Sequence, residues 1–156
     1  MSADLLTGIV IRQAVAEDLP AVERLLVSNN LPIAGVADAL CSFVVAASDE
    51  RIVGVVGLEV CCEHGLLRST AVDADFRDRG LGRRLVERII AEAEARGIHA
   101  LYLLTTTAER YFPSFGFVVS TRDAVPAPIR ATTEFVSACP ASATVMCLAL
   151  PTAPSH

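Results

Sequence analysis

Arg77, Gly80 and Gly82 form an Arg-x-x-Gly-x-Gly run, with Arg79, Arg83 and Arg84 beside them. A helix starting at that point leaves its first amides unpaired and carries a partial positive charge there. Glycines let a bulky anion come close to the backbone, and guanidiniums add charge around it. The run therefore suits a phosphate or pyrophosphate. It is not the dinucleotide fingerprint, because Leu85 stands three residues after Gly82 where a third glycine is needed. It is not a P-loop, because no Gly-Lys-Ser/Thr is present.

A second chemical candidate is Glu59, inside the run Leu58-Glu59-Val60-Cys61-Cys62. A carboxylate in apolar surroundings is costly unless it is paired or working. Glu59 is thus a candidate general base, or a residue that points to solvent from a sheet edge. Cys139 before Pro140 looks like a nucleophile, but the sequence places no histidine beside it. It reads as structural or pocket-lining. No His/Cys spacing fits a metal site, so no metal is expected.

These groups need elements to hold them. Leu66–Val72 is a short, mostly apolar run, as a strand covered on both faces should be. Asp73–Phe76 breaks it. Leu81, Leu85, Ile89 and Ala93 then mark one helix face, and Gly97 suits the cap that ends it. Before this unit, Ile9–Ala14 reads as a strand and Asp18–Pro20 opens a helix that Asn29-Asn30 ends. Val36–Leu40 is one helical turn, and Ser42–Ala47 with Ile52–Val60 make a hairpin. Glu63-His64-Gly65 is the turn into the central strand. After it come a strand at Ile98–Thr105 and a short helix that Pro113 should end. A strand at Phe115–Val119, a short helix at Pro126–Phe135 and a closing strand at Thr144–Leu150 complete the series. The order predicts an α/β fold, a single mixed sheet of about six to seven strands with helices on both faces. Residues 1–150 form one domain and 151–156 a frayed tail.

The chain has 156 residues, 53% of them hydrophobic, and a net charge of −5. Its mean hydropathy is +0.49. No apolar run reaches the length of a membrane span, and Met1–Leu6 is too short and acidic for a signal peptide. The acidity argues against nucleic acid. Five cysteines without Cys-x-x-Cys spacing suggest a reduced, cytoplasmic setting.

Arg77-x-x-Gly80-x-Gly82, followed by the helix and by Gly116-Phe117, resembles the acyl-CoA loop of the GNAT N-acetyltransferase superfamily. The resemblance covers most of the chain, from Ile9 to Leu150. It implies the GNAT-like fold, acetyl-CoA as donor and transfer to an amine. It assigns the cofactor to Ala71, Val72, Arg77, Asp78, Arg79, Gly80, Leu81, Gly82, Arg83, Thr106 and Phe112. In the family the cofactor arm pairs with the strand before the loop, and the amides near Ala71 and Val72 suit the thioester oxygen. The segment after Asn30 corresponds to a lid over the acceptor.

One departure is visible. The family's tyrosine, four residues before the Gly of Gly-Phe, is here Phe112, and Tyr111 lies one residue earlier. A one-residue shift turns a helical side chain by about 100°. Glu59 is the candidate base, and either Tyr111 reaches round as the acid, or a water or no protein acid serves.

Leu67-Arg68-Ser69, Leu103–Glu109, Pro128-Ile129-Arg130 and Cys139–Ala143 are similar to segments of short acetyltransferases found with arsenic-resistance determinants, and of short glutamate N-acetyltransferases. This implies a small acceptor with an amino-acid head, contacted by Arg68, Ser69, Thr105, Arg130 and Cys139. Arginine suits carboxylate, phosphinate or arsinate. The bland alternatives are that Arg68 pairs with Glu59 or Glu63 and that Arg130 caps a surface helix. The expected partner is a small-molecule amine, with room for a homodimer and no role for nucleic acid or membrane. Alternatives to the enzyme are an acyl-CoA sensor of the same fold, or an acetyltransferase acting on a protein N-terminus or lysine.

Overall fold

The computed structural model describes residues 8–49, 51–61, 63–77, 80–105, 110–132 and 143–151. Strands are β1 (Ile9–Gln13), β2 (Val44–Ser48), β3 (Arg51–Cys61), β4 (His64–Val72), β5 (Ala100–Thr105), β6 (Val118–Ser120) and β7 (Thr144–Ala149). Helices are α1 (Leu19–Ser28), α2 (Val36–Ala39), α3 (Leu81–Ala95) and α4 (Ala127–Arg130). The strands form one sheet in the order β1-β2-β3-β4-β5-β7-β6. β1, β2 and β3 are antiparallel neighbours, β4 runs parallel to β5, and β7 is antiparallel to both β5 and β6. The expected mixed α/β sheet is therefore present. Among the described residues no helix is long and apolar enough to cross a membrane.

The chain divides into two compact units, Met1–Gly57 with Ser69–Ile89, and Leu58–Arg68 with Ile90–His156. In the first, Val22, Leu25 and Leu26 of α1 pack with Val45, Val55 and Ala71 of the sheet. Neighbouring strand residues point to opposite faces. Gly54, next to Val55, accordingly meets α3: a Cβ built there would lie 2.8 Å from Leu85 Cδ1. One face takes α1 and the other α3, and both helices are held by stripes at helical spacing. Burying each such side chain stabilises by about 1.5–3 kcal/mol.

The second unit is built on Leu66, Tyr102 and Val145, covered by Val125 and Ile129 around α4. Cys61, Leu104 and Cys147 pack against the same cluster. The Cys147 thiol is hydrogen-bonded to Tyr102, and burial pushes the ionisation of both groups up. The sequence suggests a small buried hydrophobe at each cysteine, but Cys61 and Cys147 are only half-buried and Cys41 is exposed.

Several boundaries move. β4 begins at His64 rather than Leu66, because His64 and Gly65 already pair with Ala100 and Leu101. β2 starts at Val44, since Ser42 lies in a 3-10 turn. Pro113 does not end a helix. It sits in the first turn of a 3-10 segment, Phe112–Phe115, where its missing amide costs nothing. The strand expected from Phe115 is confined to Val118–Ser120. The expectations for Thr106–Glu109, Thr133–Ser142 and the tail beyond Pro151 lie outside the described residues.

The entry into α1 is fixed by Asp18. Its Oδ2 accepts from Arg12 Nη1 at 2.7 Å and from the Val15 amide at 2.8 Å, and its Oδ1 accepts from Arg12 Nη2 at 3.0 Å. The hydrogen bond from Arg12 holds the carboxyl below its usual range, against an opposing push from burial. A carboxyl with a lowered folded pKa stabilises above its unfolded value, about 3.9, and loses that stability as pH falls through the folded value. Asp18→Asn should therefore cost about 1–2 kcal/mol near neutral pH, the figure being reduced because Arg12 is open to solvent. The deficit should shrink as the pH is taken below 4. Thermal melts of both proteins across that range measure it, and a constant difference would assign the loss to packing.

Candidate functional site

In the first unit, β4 carries an irregularity before it ends. Ser69 is buried and has φ +58°, a left-handed conformation rare for serine. Such a residue inside a strand marks a bulge and bends its course. Beyond it, Ala71 turns its side chain into the α1 cluster, which leaves only its backbone for a ligand. The parallel ladder between β4 and β5 pairs His64, Gly65 and Leu66 with Ala100, Leu101 and Tyr102. β5 continues to Thr105 beside β7.

The turn after β4 is closed by Asp73, whose Oδ1 accepts from the Asp75 amide at 2.9 Å. Arg77 follows. Its Nε donates to the Val72 carbonyl at 3.2 Å and its Nη2 to Asn29 Oδ1 at 2.7 Å. The guanidinium is thereby fastened between the end of β4 and the end of α1. Asp78 and Arg79 lie outside the described residues. Gly80 has φ +81°, and a Cβ built on it would meet nothing within 4 Å. The Arg84 amide donates to the Gly80 carbonyl at 3.1 Å, which begins the helical ladder. The amides of Leu81 and Gly82 precede that first bond and have no helical acceptor. Leu81 itself is buried and its side chain faces Gly54, so it too offers a ligand only its backbone. Arg83 reaches Glu87 at 3.8 Å, a loose surface pair.

These features fit a pyrophosphate. The backbone at Gly80 has open space in front of it, and the first amides of α3 follow it directly. Sequence reasoning missed Thr70. Its Oγ1 is buried and has no hydrogen-bond partner among the described residues, and an orphaned buried hydroxyl needs an explanation. A hydroxyl on the strand that would carry the cofactor arm supplies one. Asn29 was read only as a helix stop. Its distance of 48 residues from Arg77 explains why no local signal showed the bond.

In the second unit, Arg68 Nη1 lies 2.6 Å from Glu59 Oε1. The Arg68 side chain has no exposed surface, while Glu59 keeps 18% of its own. Glu59 shares a strand face with Cys61, and Arg68 shares one with Leu66. Cys61 and Leu66 both belong to the cluster that α4 covers. The pair therefore lies on the α4 face of this unit. A wholly buried guanidinium needs an anion beside it, and Glu59 provides one, as the alternative reading of the sequence allowed. Arg130 is exposed in the last turn of α4, next to the fully buried Ile129.

Phe112 and Tyr111 divide as the one-residue shift implies. Phe112 is buried against Phe117, with ring centroids 5.7 Å apart. Tyr111 is 38% exposed and packs edge-on against Phe115 at 5.2 Å. Thr105 is buried at the end of β5. Thr106 and Cys139 lie outside the described residues. Among those described, no group of His, Cys, Asp or Glu could hold a metal ion.

The model of the acetyltransferase (GNAT) domain matches residues 39–119, just over half of the chain. A [ribosomal protein bS18]-alanine N-acetyltransferase of Salmonella typhimurium is 41% identical over 56 residues, 36% of this chain and 38% of that protein. An amino-acid acetyltransferase of Azotobacter vinelandii is 41% identical over 63 residues, 40% of this chain and 15% of that protein. The chain thus spans well under half the length of these relatives. Among solved structures, N-acetylglutamate synthase of Neisseria gonorrhoeae, complexed with coenzyme A and N-acetyl-glutamate, superposes with a TM-score of 0.78 at 23% identity. That match covers 92% of this chain and 35% of that one. A Mycobacterium tuberculosis protein in complex with CoA and NLQ gives a TM-score of 0.76 at 24% identity, over 91% of this chain and 99% of that one.

Gly80→Glu should remove acetyl-CoA binding, because a side chain would enter a left-handed position and bring negative charge to the anion seat. Calorimetric titration with acetyl-CoA, with circular dichroism to check folding, tests it. Unchanged affinity in a folded variant would place the cofactor elsewhere.

Proposed function

Because the chain belongs to the GNAT acetyltransferase domain family, we propose that it transfers an acetyl group from acetyl-CoA to the amine of a small amino-acid-like acceptor, directly and through a ternary complex. The observation that carries this reading is the first turn of α3, with the open backbone at Gly80 and Arg77 fastened beside it. Relatives named amino-acid acetyltransferase support the acceptor class, as does the neighbour bound to N-acetyl-glutamate. A glutamate-like molecule or its arsenic- or phosphorus-containing analogue has the acidic group that Arg130 suits. The setting proposed is the cytoplasm.

When bound, acetyl-CoA supplies the thioester whose acetyl carbon the amine attacks, with the thiol released. The amides of Leu81 and Gly82 and the side chain of Arg77 would hold its pyrophosphate. The backbone of Ala71 and Val72, with the Thr70 hydroxyl, would hold its arm. An amine must lose a proton to attack. Glu59 takes that role, directly or through a water. Its Oε1 accepts from Arg68 Nη1 at 2.6 Å. Arg68 acts on the acceptor through Glu59, and Ser69 and Thr105 border the acceptor's path. Arg130 binds the acceptor's acidic group. Tyr111 is the protein acid offered to the departing thiolate. A coenzyme thiol resembles free cysteine, with a pKa of about 8.5, so transfer tolerates a weak acid or none.

A second reading has its own observation. The relative named ribosomal protein alanine N-acetyltransferase favours a protein N-terminus as acceptor. Acetyl-CoA consumption with glutamate, its phosphinate and arsinate analogues, and an alanine-initiated peptide separates the two. Turnover with none of them would leave an acyl-CoA sensor.

Two variants test the roles. Arg130→Ala should raise the acceptor KM by roughly one to two orders of magnitude, the worth of a hydrogen-bonded charge, while the KM for acetyl-CoA hardly moves. Equal loss toward an acceptor lacking the acidic group would make Arg130 structural. Glu59→Gln should lower kcat most at low pH, where the amine is protonated, and leave acetyl-CoA affinity intact. An unaltered pH–rate profile would remove Glu59 from the chemistry, whatever the change does to stability.

A further inference from the structure

The first unit contains a cleft of about 490 Å³ that the proposed transfer does not use. Ala21, Arg24, Leu25 and Ser28 line it from α1, at the spacing of one helix face. Arg51 and Ile52 of β3 and Asp73, just past β4, close the other side. Its volume lies within the usual range of small-molecule sites, about 300–1,000 Å³. Leu25 and Ile52 supply an apolar wall. Two arginines against one aspartate leave the lining positive in a protein of net charge −5. Arg51 is committed, since its Nη2 lies 2.6 Å from Asp73 Oδ2. Arg24 has no hydrogen-bond or ion-pair partner among the described residues. A guanidinium over an apolar wall suits one anionic group carried on a small apolar body.

We infer that this cleft is a binding site for a small organic anion, a carboxylate or phosphate monoester, and that its occupant weakens acetyl-CoA binding. The coupling rests on the reading of Arg77–Gly82 as the pyrophosphate seat. Its route is short. Asp73 receives Arg51 on Oδ2 and the Asp75 amide on Oδ1, and its own amide donates to the Val53 carbonyl at 2.8 Å. The turn it closes leads into Arg77. An anion between Arg24 and Arg51 competes with Asp73 for Arg51. The turn then loses one of the bonds that fix it, and the seat beyond it loses order. A ligand with different affinities for the two states of a turn shifts their balance.

The test uses the full chain, phenyl phosphate as probe and calorimetric titration. The probe should bind with a Kd of about 0.1–1 mM. Arg24→Glu should weaken it about tenfold or more and leave acetyl-CoA affinity without the probe within about twofold. Saturating probe should raise the acetyl-CoA Kd about three- to tenfold in the parent and then level off, and the effect must be reciprocal. The rise should vanish in Arg24→Glu. Benzoate in place of phenyl phosphate separates a carboxylate from a phosphate ligand, and binding of either that depends on Arg24 supports the site. No binding of either, or binding indifferent to Arg24→Glu, overturns it. An acetyl-CoA Kd that climbs without limit would put the probe in the pyrophosphate seat, and overturns it as well. An unchanged acetyl-CoA Kd would overturn the coupling. Should acetyl-CoA itself fail to bind the parent, the donor reading falls, while Arg24-dependent binding of the probe would still establish the cleft.

Discussion

The amides of Leu81 and Gly82 lie ahead of the first helical bond of α3, from Arg84 to Gly80. No carbonyl of the helix can reach them. A helix end of this kind is satisfied by water, by a cap or by an anion. Here the residue before it is a glycine in left-handed conformation with open space in front. The neighbouring arginine is drawn to Val72 and Asn29. The turn, the bulge at Ser69 and the close packing of Leu81 and Leu85 on Gly54 all serve to put this helix end where β4 stops. Leu81 fixes the helix through its side chain, which leaves its backbone amide at the open helix end.

The pair of Glu59 and Arg68 poses a different constraint. An arginine with no exposed surface is tolerated only beside an anion, and removing one partner of a buried pair is far more costly than replacing both. The partner here keeps some contact with solvent, 18% of its side chain. Arg130 differs from Arg68 in being exposed, in the last turn of α4.

Much of this was legible in the chain. The stripe Leu81, Leu85, Ile89, Ala93 fixed the helix after the loop, since periodicity at 3.6 is a local property. The glycine pair and the arginines marked this helix end as a candidate anion seat for the same reason, as helix-end chemistry acts within one turn. The alternation of strands and helices gave a mixed sheet. The shift between Tyr111 and Phe112 also showed in sequence, and the two rings do part, one to the core and one to the surface.

Only tertiary structure decided the rest. Glu59 and Arg68 are nine residues apart on different strands, and their contact depends on register, which a one-residue slip would reverse. Asn29 meets Arg77 across 48 residues, and Arg51 meets Asp73 across 22. Thr70 is orphaned only because the sheet buries it. Pro113 could end one helix or begin another, and the packing of Phe112 on Phe117 chose the second. Local spacing specifies which groups a segment offers. Which of them pair, and which are left for a ligand, is a property of burial, and burial exists only once the strands have come together.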